Sequence, residues 1–247
     1  MRFHRTPFLF LSALTLVLTT ASTTTQAAVV ISATRVIYDA AKGETTVKLT
    51  NNGQSPSLVQ SWLDTGALQA ERDTLEVPFV VSPPMARIDP GKSQTLRILY
   101  SGEPLPQDRE SLFWLNVLDI PPKADASRGD NLLQLSFRTR IKFFFRPADL
   151  AGTAIDAPAQ LTWQLAASGA RPVLRVSNPT PYHISFSTVE LVTGGQTLAV
   201  KEPGMVAPFE TRDLALPQPA AKSAGAQVRY QFINDYGGVG KGEAALH

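Results

Sequence analysis

The chain has 247 residues, 23 of them basic and 21 acidic, a formal net charge of +2, three histidines and no cysteine. Without cysteine there is no disulfide, no thiolate nucleophile and no cysteine-ligated metal. Three histidines leave almost nothing for a multi-histidine metal centre or a Ser-His-Asp triad, which argues against most hydrolases.

The first residues, Arg2, His4 and Arg5, precede an apolar run over 8–18 and a small, polar stretch ending Thr25-Gln26-Ala27-Ala28. That is the layout of a secretory signal: basic start, short apolar centre, small residues at the cut. The apolar run is shorter than the ~20 residues that span a bilayer, which disfavours an uncleaved anchor. Cleavage is expected after Ala27, so residues 1–27 are read as a signal peptide. Its removal takes two arginines and no acids, leaving 21 charges of each sign. A neutral mature chain makes no bulk electrostatic case for nucleic acid or an anionic membrane as partner. The remaining residues suffice for one large or two ordinary domains.

Short alternating or β-branched runs then recur with turn signals between them. Residues 29–38 read as a first strand, 44–50 as a second and 57–63, with Trp62, as a third. Prolines break 78–88 into short edge pieces, and Asp89-Pro90-Gly91 is a strong turn. Strands follow over 94–100 and 111–119. The most informative run is 131–146, NLLQLSFRTRIKFFFR. Leu133, Leu135, Phe137, Ile141, Phe143 and Phe145 fall on odd positions, interrupted only by Thr139. Gln134, Ser136, Arg138, Arg140, Lys142 and Arg146 fall on even ones. Period-two alternation predicts a strand with one greasy and one partly basic face. At ~3.3 Å per residue it spans roughly 50 Å, where about five or six residues are usual. Such a strand is expected to outrun its own sheet, and the overhang is a candidate for pairing with another chain.

Seven short strands separated by turns signal an immunoglobulin-like sandwich. Arg146-Pro147 ends the long strand, and the small, turn-prone stretch 148–158 marks a boundary between domains 28–149 and 150–247. Strands over 160–165, 172–176, 182–192, 196–200, 210–214 and 227–233 make the second domain all-β again. No helix of three turns is expected.

Four clusters stand out. Arg35, after Thr34 in the first strand, is by default a solvated surface charge. Glu110, in PQDRESLFW, sits where a strand begins, and a salt bridge is plausible but not deducible. Asn178-Pro179-Thr180-Pro181-Tyr182 is a rigid bend, since each proline fixes φ and restricts its predecessor; a simple interstrand turn would read the same. In Phe232-Ile233-Asn234-Asp235-Tyr236-Gly237-Gly238, Asp235 is either a turn former or an ion-pair partner.

Taken together, SPPMARIDPG, LPQDRESLFWLNVLDIPP, the strand ending IKFFFRP, NPTPY and INDYGG resemble, in order and spacing, the PapD-like periplasmic chaperones of the chaperone–usher pilus pathway. The resemblance covers nearly the whole mature chain. It implies an all-β protein of two immunoglobulin-like β-sandwich domains arranged as a boomerang with an interdomain cleft. It further implies a non-enzymatic, cofactor-free periplasmic chaperone. Such a chaperone binds, folds and caps pilin subunits by donor-strand complementation and delivers them to an outer-membrane usher. By matching motifs, Arg35 and Lys142 anchor the pilin C-terminal carboxylate, and Leu133, Leu135 and Phe137 are donor-strand hydrophobics. Glu110, Arg146 and Asp235 form an interdomain ion-pair network. His183 stands where the family commonly has a second aromatic, and is expected to be a packed or half-exposed side chain rather than a ligand or pH switch. The short, polar connection 123–130 suggests the short-loop branch. A second copy of the chain is a candidate cap for the free strand.

Two rivals remain. A secreted immunoglobulin-like pilus subunit or adhesin should carry an N-terminal donor extension and an incomplete sandwich, whereas here the mature chain goes almost directly into a strand. An exported hydrolase lacks the histidines and cysteines it would need.

Overall fold

A computed structural model describes residues 28–66, 77–123, 134–168, 171–218, 220, 223 and 225–246. The expected signal over 1–27, Leu133, most of the 123–130 connection and His247 lie outside the described residues.

The first sandwich is built from β1 (Val29–Ile31), β2 (Arg35–Asp39), β3 (Glu44–Asn51), β4 (Ser57–Asp64), β5 (Phe79–Ser82), β6 (Met85–Ile88), β7 (Ser93–Tyr100), β8 (Ser111–Ile120) and β9 (Phe137–Arg146). One sheet has the order β1-β3-β7-β5, the other β2-β9-β8-β4-β6. The single strand expected over 29–38 is therefore two strands in opposite sheets. β1 runs antiparallel to β3, and β2 runs parallel to β9. Crossing between sheets lets Val29 and Val36 both reach the same core.

That core is aromatic at its centre. Tyr38, Phe79, Phe143 and Phe145 pack with ring centroids 5.0–6.0 Å apart. The Tyr38 hydroxyl donates to the Gly43 carbonyl at 2.5 Å and accepts from the Tyr100 amide at 3.2 Å, so a fully buried ring keeps its polar tip satisfied. Burying each such side chain contributes roughly 1.5–3 kcal/mol.

The long strand differs from expectation at its start. It begins at Phe137, not at 131, and Gln134, Leu135 and Ser136 precede it without ladder pairing. β8 accompanies β9 from Ser111 opposite Phe145 to Asp119 opposite Phe137, and Pro121-Pro122 then follow Ile120. Prolines have no N–H to continue a ladder. The Gln134 side chain instead donates to the carbonyls of Pro121 and Pro122. The strand therefore does not overhang β8. Its shortfall is on the opposite edge, where β2 covers only Lys142 to Arg146. Residues 137–141 keep that edge open.

The second sandwich has β10 (Thr162–Ser168), β11 (Arg171–Ser177), β12 (Ile184–Thr193), β13 (Gln196–Ala199), β14 (Met205–Val206), β15 (Thr211–Ala215), β16 (Gln227–Ile233) and β17 (Val239–Ala245). Its sheets are β10-β11-β15 and β13-β12-β16-β17, with β14 paired to β12. The sequence pattern missed β14 and β17. In VGKGEAA only Val239 is a β-former, yet Gly240 and Gly242 lie opposite Phe232 and Tyr230. A Cβ at either glycine would come within 2.3 Å of the facing ring, so the missing side chains are the space the aromatics occupy. Tyr230 in turn packs on Trp163 and Phe186 and donates to the Pro158 carbonyl at 2.7 Å. The described residues hold two 3-10 helices, Ala40–Lys42 and Ala157–Gln160, and no α-helix.

Candidate functional site: the interdomain cleft and an open strand edge

The even face of β9 meets the second domain. Phe144, on that face, is an apolar residue that the polar pattern hid. It is buried, with its ring 5.2 Å from the His183 ring and the Arg35 guanidinium 5.7 Å above it. Around this apolar centre the cleft is polar.

Arg35 stands opposite Lys142 in the parallel ladder. It is not a solvated surface charge: only 8 % is exposed, its Nη1 donates to the Ile233 carbonyl at 2.8 Å, and its Nε is buried without a partner. Lys142 Nζ donates to Ser185 Oγ at 2.8 Å. Burial, then the neighbouring charges of Arg35 and Arg212, lower the Lys142 ammonium to about 8. Burial likewise lowers Arg35, against the pull of Asp235 and Glu110. Among the described residues, no carboxylate forms an ion pair with either cation.

Glu110, Arg146 and Asp235 come together. Arg146 Nε reaches Glu110 Oε1 at 2.8 Å, while Nη1 and Nη2 hold both oxygens of Asp235 at 2.7 and 3.0 Å. Burial alone would lower Arg146, but the bond to Asp235 and the two carboxylate charges outweigh it and push it up. His183 belongs to the same network. Its amide and Nδ1 lie 2.7 and 3.1 Å from Glu110 Oε2. The ring is packed, as expected, but the contact was not foreseeable from its spacing.

The NPTPY bend is more than a turn. Asn178 Nδ2 ties it to the carbonyls of Tyr182 and Ala207, and the Pro181 carbonyl accepts from the Glu110 amide at 3.0 Å, across the domain junction. Gly237 has φ +82°, and a Cβ there would sit 2.4 Å from Thr34 Oγ1. Only glycine permits both the left-handed turn and this interdomain approach.

Leading into the cleft is the open edge of β9. Leu135 and Phe137 are 52 % and 44 % exposed, and Leu133 lies outside the described residues. Among the described residues no cluster of His, Asp and Glu could hold a metal.

Two linked sandwiches, a cleft holding one buried and one half-buried cation that no carboxylate directly pairs, and half a strand with its edge open define a two-domain immunoglobulin-like protein. The comparisons name its kind. Residues 28–151 match the family described as "Pili and flagellar-assembly chaperone, PapD N-terminal domain", and 156–244 match "Pili assembly chaperone PapD, C-terminal domain". The chain belongs to this family of pilus-assembly chaperones, a non-enzymatic role. It is 47 % identical over 225 residues to Chaperone protein FimB/FhaD of Bordetella pertussis, covering 90 % of this chain and 89 % of the relative. It is 45 % identical over 228 residues to the Probable fimbrial chaperone YadV of Escherichia coli K12, covering 91 % and 92 %. The crystal structure of the YadV chaperone superposes with TM-score 0.76 at 44 % identity, covering 89 % of this chain and all of that one. A chain of the Salmonella enterica complex of SafA pilin with the SafB chaperone matches with TM-score 0.74 at 30 % identity, covering 90 % and 98 %.

Proposed function

We propose that this chaperone binds pilin subunits in the periplasm by lending them the first half of β9, with Arg35 and Lys142 holding the subunit's C-terminal carboxylate. One observation carries the reading: the open edge of β9 ends where the two cations begin. β2 runs parallel to β9 and starts at Arg35, opposite Lys142. A guest strand continuing the line of β2 along 137–141 therefore terminates at the cation pair. If it runs parallel, its last residue brings a carboxylate there. If antiparallel, it brings an ammonium, which two cations repel. Charge selects the parallel strand and the C-terminus, and a carboxylate accepts charge-assisted hydrogen bonds from both side chains.

The odd side chains of Leu133, Leu135 and Phe137 then fill the groove that an incomplete subunit sandwich lacks, while main-chain bonds supply affinity. Each buried side chain contributes about 1.5–3 kcal/mol, against ~1–2 kcal/mol per residue to order 134–136. The strand gains by being completed. Glu110, Arg146 and Asp235 set the angle between domain 28–149, which binds the subunit, and domain 150–247. Residues 1–27 act as the export signal, and an outer-membrane usher receives the subunit, with no cofactor required because one strand replaces another. The same open edge can be capped by a second copy of the chain.

Co-expression of a pilin with Arg35→Ala or Lys142→Ala variants tests this. Loss of pilin recovery from the periplasm is expected, and unchanged complex formation with both variants would falsify the carboxylate anchor.

A further inference from the structure

An edge strand with no neighbour on one side is prone to fray and to slip its register. In the open half of β9 the ladder to β8 holds one edge and Ile141 is buried, but the odd side chains of Phe137 and Thr139 are exposed and add no restraint. There the even side chains add a second hold. Arg140 Nη2 donates to Asp64 Oδ1 at 2.6 Å, and Arg138 Nη2 reaches Asp64 Oδ2 at 3.2 Å. Arg138 also forks onto Asn116 Oδ1 at 2.9 and 2.7 Å, and Asn116 Nδ2 donates to Asp64 Oδ2 at 2.8 Å. The Gly66 amide donates to Asp64 Oδ1 at 2.8 Å. The two guanidiniums lie over the rings of Trp62 and Trp114, at 5.1 and 4.5 Å.

Asp64 is at the end of β4, separated from β9 by β8. Its side chain is 1 % exposed. A buried carboxylate is costly unless fully paired, and this one accepts hydrogen bonds at both oxygens. On β9 it pairs with residues 138 and 140, the two even residues of the open segment.

We infer that Asp64 is a positioning residue for subunit binding, clamping Arg138 and Arg140 so that the open edge of β9 is held in one register before a guest arrives. The inference rests on the strand-donation reading above and adds what prepares the strand. Its consequence is the choice of face. A slip by one residue exchanges the two faces of a strand and would offer Arg138 and Arg140 to an apolar groove in place of Phe137. With both guanidiniums tied down on the outer face, only the odd face is available. A pre-ordered edge also spares the guest part of the ordering cost.

The test uses Asp64→Asn in the mature, full chain, with Arg140→Lys as a second variant that keeps the charge but loses the planar fork. Hydrogen exchange in the free protein should rise about tenfold or more for 137–141 while β3 and β7 stay protected. Association with a pilin subunit should slow by about fivefold or more, since the open state must first be ordered. Unchanged exchange over 137–141 in both variants overturns the clamp, as does a uniform rise across both sheets. Local exchange with an unaltered association rate overturns its role in binding. Failure of the wild-type chain to capture any pilin strikes the strand-donation reading instead, and the exchange result still decides the clamp.

Discussion

Arg35 and Lys142 face one another across the parallel ladder of β2 and β9, and each reaches into the second domain, one to the Ile233 carbonyl and the other to Ser185 Oγ. Burial, and then the neighbouring charges of Arg35 and Arg212, weaken the hold of Lys142 on its proton.

The pH dependence follows from that. In the free chain Lys142 is lowered from 10.5 to about 8. The unfolded chain thus binds the proton more tightly, so this residue adds stability as pH rises from about 8 towards 10.5, where the penalty of burying the charge disappears. A bound carboxylate reverses the shift, so binding takes up a proton. Affinity for a pilin C-terminal peptide should be flat near neutrality and fall as pH rises through about 8, by at most tenfold per unit. Calorimetric titration checks this, and Lys142→Arg should flatten the profile.

Removing Glu110 leaves Arg146 to Asp235 alone and the His183 amide without its acceptor. The Glu110 carboxylate is buried and holds Arg146, the His183 amide and His183 Nδ1. Glu110→Ala should cost about 1–3 kcal/mol, the range for leaving buried polar groups unsatisfied. Asp235→Asn should cost less, because Asp235 is a third exposed. Denaturant unfolding of both variants provides the comparison.

Gly237→Ala should destabilise for two separable reasons. A left-handed non-glycine residue costs about 1–2 kcal/mol. The new Cβ also meets Thr34 Oγ1 across the junction. Adding Thr34→Ala should recover the steric part and leave the conformational part, a coupling that a double-mutant cycle reads directly.

Two phenylalanines of one strand should behave oppositely. Phe143 is fully buried and Phe137 half exposed. Phe143→Ala should lose about 3–5 kcal/mol of stability. Phe137→Asp should leave the melting temperature nearly unchanged and abolish pilin capture. Equal effects on both readouts would place Phe137 in the chain's own core.

Much of the fold was legible because its signals are local. Alternation in RTRIKFFFR sets the strand and its greasy face, and NPTPY and INDYGG set bends through proline and glycine. β17 was not legible, because its small residues make sense only against Tyr230 and Phe232. Phe144 was passed over on a face read as polar, because what it packs on, His183, lies in the other domain. The partnership of Asp64 with Arg138 and Arg140 spans about 75 positions, and no spacing rule reaches that far.

The residues by themselves determined that β9 is long and two-faced, since side-chain direction along a strand depends only on neighbouring backbone geometry. Which of its edges is covered was decided only in three dimensions. β8 stops at two prolines and β2 starts at Arg35, and those non-local pairings, not the strand's own sequence, open residues 137–141 and set the cations at the end of the gap.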